Sequence, residues 1–149
     1  GVWLQRRALD RPLYPGRYDQ AATGHIGAGE QPREAIVREA CEECGLVVEP
    51  DDLTMLDAPC HQRYARPDGG LDDEMAYVFL YDRKPGQAFA PGSEVIGMRW
   101  VSLAAFEHTL ETGEPLIWPD GEALDVDGLA CYHPAEWKAV KRWIAERNG

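Results

Sequence analysis

The sequence predicts a single α+β domain, because strand-like and helix-like segments follow one another along its 149 residues. Val2–Arg7 alternates apolar and polar side chains, as a half-buried β-strand does. Pro32 and Gly45 then bracket a helix of residues 32–44, since proline favours the first helical position and glycine the position after the last. The overall order of strand, helix, several strands, helix, loop and helix is typical of a mixed α+β sandwich.

The remaining elements each carry a local signal. Further strands are predicted over residues 53–58, 74–81 and 94–101. The proline and glycines of residues 66–70 predict a turn, and Ser102 is expected to cap a helix that ends near Glu111. Residues 107–127 carry seven acidic side chains and neither lysine nor arginine, which favours a solvated loop or lid. Pro134 is expected to begin the final helix.

Charge and composition exclude several classes of function. Fifteen Lys and Arg against 26 Asp and Glu give a net charge of −11, which excludes bulk attraction to nucleic acid or to an anionic membrane. No membrane-spanning run and no signal peptide is recognised. The four cysteines are too few to staple a domain of this size, so they are expected to be reduced in a cytoplasmic protein. A strand that begins directly after Gly1 suggests that the N-terminal strand is truncated.

The first helix places three glutamates on one side. At about 100° per residue, Glu39, Glu42 and Glu43 share an arc of roughly 100°. This arc lies beside an apolar stripe made of Ile36, Val37, Ala40, Cys41 and Cys44. Like charges four residues apart destabilise a helix by about 0.2–0.5 kcal/mol, and no basic side chain is expected in the same arc. A divalent cation such as Mg²⁺ or Mn²⁺ would relieve the repulsion, whereas a solvated surface is the alternative for these glutamates alone.

The residues around these glutamates favour the cation. They follow the spacing G-x5-E-x7-R-E-U-x-E-E-x-G-U, in which U is apolar, at Gly24, Glu30, Arg38, Glu39, Glu42, Glu43, Gly45 and Leu46. Ala40 fills the first apolar position with a small side chain. The pattern resembles the box of the Nudix hydrolase superfamily. This resemblance implies that residues 1–149 form one α/β/α sandwich around a mixed β-sheet and hydrolyse a nucleoside diphosphate linked to another moiety X.

The resemblance also implies roles for single residues. The catalytic Mg²⁺, with Mn²⁺ as an alternative, is expected on Glu39, Glu42 and Glu43 and on the main-chain carbonyl at Gly24. Glu39 is also a candidate catalytic base. Glu30 and Arg38 are expected to form a structural ion pair that holds the loop of the box onto the helix.

Within the superfamily, residues 14–19 and 23–25 look like the branch that includes isopentenyl diphosphate isomerases and their hydrolase relatives. By that resemblance Glu74 is a further metal ligand or the catalytic base, and a polar hairpin end is its alternative. The isomerases depend on a cysteine just before the histidine of the loop, and residues 21–25 contain none, which favours hydrolysis over isomerisation. A non-catalytic ligand-binding module is a third alternative, but such modules usually lose box glutamates that this chain keeps.

Positive charge is needed to hold a diphosphate. Arginine matches phosphate oxygens bidentately, so the candidate clamps are Arg6, Arg17 and Arg63. Tyr64 is a candidate to stack on the substrate, and an ordinary surface or core position is the alternative for all four residues. The expected partner is a small-molecule diphosphate, and the sequence leaves a homodimer open. Cys41 and Cys44 lack the further ligands of a structural zinc site.

Overall fold

The computed structural model describes residues 1–56, 59–130 and 133–149. Within these ranges the chain forms the helices α1 (Pro32–Cys44), α2 (Leu103–Thr112) and α3 (Pro134–Asn148). The strands are β1 (Val2–Arg7), β2 (Tyr18–Gln20), β3 (Leu53–Met55), β4 (Cys60–Ala65), β5 (Leu71–Ala76), β6 (Phe79–Tyr81), β7 (Val95–Val101), β8 (Leu116–Ile117) and β9 (Ala123–Leu124). The predicted α+β class is confirmed. Over the same ranges, every helix is too short or too polar to cross a membrane.

Strand β1 is the centre of the largest sheet in the described part of the chain. It pairs antiparallel with β2 on one side and with β7 on the other. Three further antiparallel ladders join β3 to β6, β4 to β5 and β8 to β9. Parallel pairing among the described residues is limited to one bridge between Tyr18 and Leu129, so the expected mixed sheet consists almost entirely of antiparallel pairs.

Helix α1 begins and ends where the sequence predicts. The Gln31 N–H donates to Glu34 Oε2 at 3.0 Å, which stabilises the first turn. Gly45 has a φ of 67° and ends the helix in the left-handed region that glycine adopts without strain. A Cβ at Gly45 would lie 2.3 Å from Ala90 O, so close packing also requires glycine there.

Two clusters of buried apolar side chains hold the elements together. One cluster joins the β1 sheet, α2 and the β8–β9 hairpin and contains Leu4, Tyr18, Val101, Phe106, Trp118, Leu124 and Leu129. The other lies beneath α1 and contains Ala40, Cys44, Leu46, Val48 and Leu53. Because one face of α1 packs on the second cluster, the glutamate-bearing side is left for the loop that precedes the helix.

The structure corrects the predicted strands between the first two helices. A continuous strand over residues 74–81 is wrong, because β5 pairs with β4 whereas β6 pairs with β3. Strand β4 has no counterpart among the strands predicted from the sequence. Of the strand predicted over residues 53–58, the first part forms β3, and residues 57–58 lie outside the described residues.

The acidic segment of residues 107–127 is not the predicted solvated loop or lid. Trp118 and Leu124 are buried in the first apolar cluster. Glu122 forms an ion pair with Arg6 at 2.5 Å, which ties the segment to β1. The β8–β9 hairpin is therefore docked on the sheet, and arginine neutralises part of its charge.

Candidate active site

The glycine-containing loop of residues 24–30, here called the box loop, is fastened to α1 by one arginine. Arg38 Nε and Nη2 donate to the two carboxylate oxygens of Glu30 at 2.9 and 3.1 Å, and Arg38 Nη2 also donates to His25 O at 3.1 Å. The Gly27 N–H donates to Glu30 Oε2 at 2.8 Å. The neighbouring guanidinium lowers the pKa of Glu30, so this carboxylate stays ionised and the fork fixes the loop against the helix.

The backbone at Gly24 lies directly against the Glu39 carboxylate. A Cβ at Gly24 would stand 2.0 Å from Glu39 Oε1 and 2.1 Å from its Cδ. Any side chain at this position would therefore displace Glu39, whose side chain is only 12% exposed. Gly24 does not have a positive φ, so glycine matters here for its close approach to Glu39 and not for its backbone conformation.

Glu43 is the most buried of the three helical glutamates, with 4% of its surface exposed. Gln5 Nε2 and the Thr23 N–H both donate to its Oε2 at 2.8 Å. Burial raises the pKa of Glu43 to about 7 in spite of these donors. Neither Gln5 nor Thr23 donates to the other carboxylate oxygen, Oε1. Their two hydrogen bonds join α1 to β1 and to the residue that precedes the box loop.

A basic group does reach the glutamate face, which corrects the expectation that none shares its arc. Arg38 Nη1 donates to Glu39 Oε1 at 2.7 Å and lies 3.2 Å from Glu42 Oε2. The Cα of Arg38 lies outside the arc on the helical wheel, but its long side chain spans the distance. The guanidinium therefore offsets the repulsion that the sequence analysis assigned to a cation alone.

The apolar stripe of α1 is narrower than predicted. Cys41 is exposed rather than buried, because it lies at the edge of the stripe and the second cluster does not reach it. Cys44 is buried, and its Sγ donates to Ala21 O at 2.8 Å. Burial raises the pKa of the Cys44 thiol to about 12. Cys60 is also free, and Cys131 lies outside the described residues.

Among the described residues, no three His, Cys, Asp or Glu side chains are arranged closely enough to hold a metal ion. The contacts above give the reason, since Glu43 turns inward and Arg38 lies between Glu39 and Glu42. The donor chemistry nevertheless fits Mg²⁺ or Mn²⁺, which prefer carboxylate and carbonyl oxygens. Glu42 is 57% exposed and Gly24 brings main chain against Glu39, so both lie where an oxygen-binding cation could recruit them.

Glu74 lies on β5 and approaches the box loop. Its Oε2 is 3.9 Å from His25 Nε2, and its Oε1 accepts from Tyr64 Oη at 3.4 Å. In the β4–β5 ladder Glu74 stands opposite Gln62. The structure thus brings together two sequence-predicted residues, Glu74 and Tyr64, at the loop that contains Gly24.

The three candidate phosphate clamps are each engaged elsewhere. Besides its ion pair with Glu122, Arg6 donates from Nε to Gly16 O at 3.2 Å. The guanidinium of Arg17 lies 5.7 Å from the ring centre of Tyr14. Arg63 Nε is 3.9 Å from an Asp73 carboxylate oxygen, and its side chain is 65% exposed. Each arginine would have to exchange these contacts for a phosphate.

A buried polar group missed by the sequence analysis lies between β2, β4 and α3. Glu136 is only 8% exposed. Its Oε2 accepts from Gln20 Nε2 at 2.5 Å, and its Oε1 accepts from Gln62 Nε2. Asp19, beside Gln20, is buried against Arg7 at 3.2 Å, and burial raises its pKa to about 6. No local pattern marks these residues, because their partners are far away in the sequence.

A cavity of about 770 Å³ lies between β1, β6 and α3. Apolar and aromatic side chains line most of it, together with polar and charged side chains that include Asp19, Gln20, Arg83 and Glu136. Its described wall reaches Ala21 and Ala22 but includes none of the three helical glutamates. This cavity is therefore separate from the carboxylates of Glu39, Glu42 and Glu43.

These features define an α+β domain in which a loop, fastened by an arginine fork, packs against the side of a helix that carries Glu39, Glu42 and Glu43. The chain belongs to the Nudix family, since the sequence model of the NUDIX domain matches residues 1–119. The resemblance to the Nudix superfamily seen in the sequence is thereby confirmed. Helix α3 lies beyond the matched residues.

Two curated relatives are bacterial proteins named isopentenyl-diphosphate delta-isomerase. The one from Saccharopolyspora erythraea is 30% identical over 142 residues, which cover 92% of this chain and 70% of the relative. The one from Mycolicibacterium vanbaalenii is 31% identical over 112 residues, which cover 75% of this chain and 60% of the relative. A substantial part of each relative thus has no counterpart in this chain.

Two solved structures have the same fold. The MutT protein from Methanosarcina mazei Go1 superposes with a TM-score of 0.60 at 21% identity, over 99% of this chain and 85% of the other. The Nudix hydrolase RenU from M. smegmatis superposes with a TM-score of 0.56 at 19% identity, over 97% of this chain and 74% of the other. At these identities the likeness concerns the fold alone.

Proposed function

We propose that residues 1–149 form one catalytic domain that hydrolyses a phosphoanhydride bond in a small-molecule diphosphate, with Mg²⁺ or Mn²⁺ as cofactor. A nucleoside diphosphate linked to another moiety X is the substrate class that the family resemblance favours. The observation that carries the proposal is the packing of Gly24 against Glu39, combined with the fork between Arg38 and Glu30. An ordinary surface helix has no need of a loop held so closely over one carboxylate.

The residues proposed to hold the cation are Glu39, Glu42, Glu43, Glu74 and the main-chain carbonyl at Gly24. When bound, the cation would supply Lewis-acid stabilisation of the negative charge on the phosphoryl oxygens. Within this set the carboxylates differ in environment, since Glu42 is exposed whereas Glu43 is buried and hydrogen-bonded. Exposed and buried ligands suit a site that must both hold a cation and admit a substrate.

Two carboxylates are candidates to accept the proton of the attacking water, Glu39 and Glu74. General base catalysis needs a carboxylate within hydrogen-bond reach of that water. Glu39 lies against Gly24 of the box loop, and Glu74 approaches the same loop at His25. Arg6, Arg17 and Arg63 are the proposed phosphate clamps, and Tyr64 is the proposed stacking side chain.

The test is a panel of nucleoside diphosphate derivatives and other diphosphates, incubated with and without Mg²⁺ and followed by phosphate release. The activity of Glu42→Gln should fall at least about 10–100-fold. Loss of an outer-shell partner at a metal site has an effect of this size, and loss of a direct ligand should have no smaller one. Glu49→Gln is the matched control, because Glu49 is exposed and its side chain makes no cap hydrogen bond. Failure to turn over any substrate, or full activity of Glu42→Gln, would contradict the proposal.

Isomerisation of a prenyl diphosphate is the second candidate, and the names of the relatives favour it. Against it, residues 21–25 contain no cysteine, and the buried Cys44 thiol donates to a main-chain carbonyl instead of facing the loop surface. Conversion of isopentenyl diphosphate to its isomer without phosphate release would decide for this alternative. Metal-independent binding without turnover would favour the ligand-binding module. A cytoplasmic location and a homodimer stay predictions.

A further inference from the structure

The hairpin that carries Glu74 depends on side-chain contacts for its position. Within the described residues, β4 and β5 pair only with each other. A two-stranded ladder is marginally stable in water unless something packs against it. The contacts made by inward-facing side chains of β4 and β5 therefore determine where Glu74 lies relative to the box loop.

The first turn of α3 and the residue that precedes it supply one of these contacts each. Glu136 Oε1 accepts from Gln62 Nε2 on β4. The ring of His133, which precedes the helix, has its centre 4.9 Å from that of Tyr64 on the same strand. Both contacts involve the inward-facing side of β4, where Gln62 is 5% exposed.

Glu136 also reaches the strand that leads into the box loop. Its Oε2 accepts from Gln20 Nε2 at 2.5 Å, and Gln20 ends β2 four positions before Gly24. A buried carboxylate is costly unless it is hydrogen-bonded, and here two amide groups from different strands share it. The position of Glu136 in the first turn of α3 adds favourable interaction with the helix dipole.

The register of the hairpin transmits this contact to the candidate active site. Gln62 stands directly opposite Glu74 in the β4–β5 ladder, and Glu74 in turn lies 3.9 Å from His25 of the box loop. One carboxylate thus fastens β4 to β2, so that the loop and Glu74 are held at a fixed separation.

We propose that Glu136 is a positioning residue that acts through Gln62 to hold Glu74 at the box loop. The proposal rests on the role given to Glu74 under the proposed function. It extends the site to α3, which lies outside residues 1–119 matched by the NUDIX domain.

The experiment is a double-mutant cycle of Glu136→Gln and Glu74→Gln in the full chain. Two quantities are measured for each variant: kcat and KM on the best substrate of the panel, and Mn²⁺ affinity by calorimetry without substrate. Alone, Glu136→Gln should lower kcat and weaken Mn²⁺ binding about tenfold, as loss of an outer-shell partner does. In the Glu74→Gln background it should have no further effect on either quantity. Glu146→Gln on the exposed end of the same helix is the matched control and should leave both unchanged.

A merely structural role would give a different result. Glu136→Gln would then lower the melting temperature, and its effects on kcat and Mn²⁺ affinity would be absent or would add in full to those of Glu74→Gln, which would overturn the proposal. If Glu136→Gln does not fold, Gln62→Met takes its place in the cycle with the same expectations. The wild-type protein could bind Mn²⁺ and hydrolyse nothing, while Glu136→Gln weakens Mn²⁺ binding only when Glu74 is present. This result would refute the proposed function and support the positioning role. A wild-type protein that neither binds Mn²⁺ nor hydrolyses would overturn both.

Discussion

Substituting Gly24 by alanine should separate catalysis from folding. The added Cβ would lie 2.0 Å from Glu39 Oε1, whereas ordinary contacts begin at 3.4 Å, so the carboxylate must withdraw by about 1.4 Å. Misplacement of a reacting group by about 1 Å costs on the order of 100-fold in rate. We therefore expect kcat/KM of Gly24→Ala to fall about 100-fold.

The fold should tolerate the same substitution. Gly24 does not have a positive φ, so alanine fits the backbone and also restricts the unfolded chain, which is worth about 0.4–1 kcal/mol. The assay is steady-state hydrolysis with Mg²⁺, accompanied by thermal unfolding of each variant. Gly27→Ala is the control in the same loop, because its Cβ would meet Glu30 Oε2 at 3.3 Å and require only a slight adjustment.

Two results would refute this reasoning. Wild-type kcat/KM in Gly24→Ala would mean that the position of Glu39 does not matter for the reaction. An equal loss in Gly27→Ala would mean that the loop as a whole, and not the contact with Glu39, is responsible.

Three further predictions concern stability and are checked by urea unfolding. Gly45→Ala should cost about 2–3 kcal/mol, because it combines a positive φ with a clash at Ala90 O, whereas Gly86→Ala has open space and should cost about 1 kcal/mol. Leu124→Ala should cost about 2–5 kcal/mol, since Leu124 is 1% exposed in the first apolar cluster. Asp19 has its pKa raised from 3.8 to about 6 by burial, so its contribution is fully present below pH 3.8 and is lost as the pH rises through 6. Each pKa unit corresponds to about 1.4 kcal/mol, so the stability of Asp19→Asn relative to wild type should rise by up to about 3 kcal/mol across this interval.

Each of these predictions has a clear contrary outcome. Equal costs at Gly45 and Gly86 would contradict the close packing on Ala90. If Leu124→Ala lowers the free energy of unfolding by less than about 1 kcal/mol, residues 107–127 would be a solvated lid and not a docked hairpin. If the difference in free energy of unfolding between wild type and Asp19→Asn does not change with pH, burial does not control the titration of Asp19.

Local signals explain why α1 could be predicted closely. Pro32 and Gly45 act through their own backbone conformations, so the limits of the helix depend on nearby residues alone. The strand β4 gives no such signal, because His61 and Arg63 alternate with side chains whose burial depends on distant partners. Its pairing with β5 is a tertiary choice that no alternation of apolar residues records.

The candidate site shows the same division. A helical wheel places the α carbons, and it therefore identifies the glutamate face while missing the reach of Arg38 to Glu39 and Glu42. It also cannot say how wide the covering cluster is, which is why Cys41 is exposed. The contact of Glu136 with Gln20 spans 116 positions in the chain, and no local sequence pattern near either residue predicts it.

The central claim is that the glutamate face of α1 binds a divalent cation together with the backbone at Gly24. Calorimetric titration of the purified protein with Mn²⁺, repeated with Glu42→Gln, tests this claim most directly. We predict saturable uptake by the wild-type protein, weakened at least about tenfold in Glu42→Gln. Absence of uptake, or an affinity that Glu42→Gln leaves unchanged, would contradict the claim.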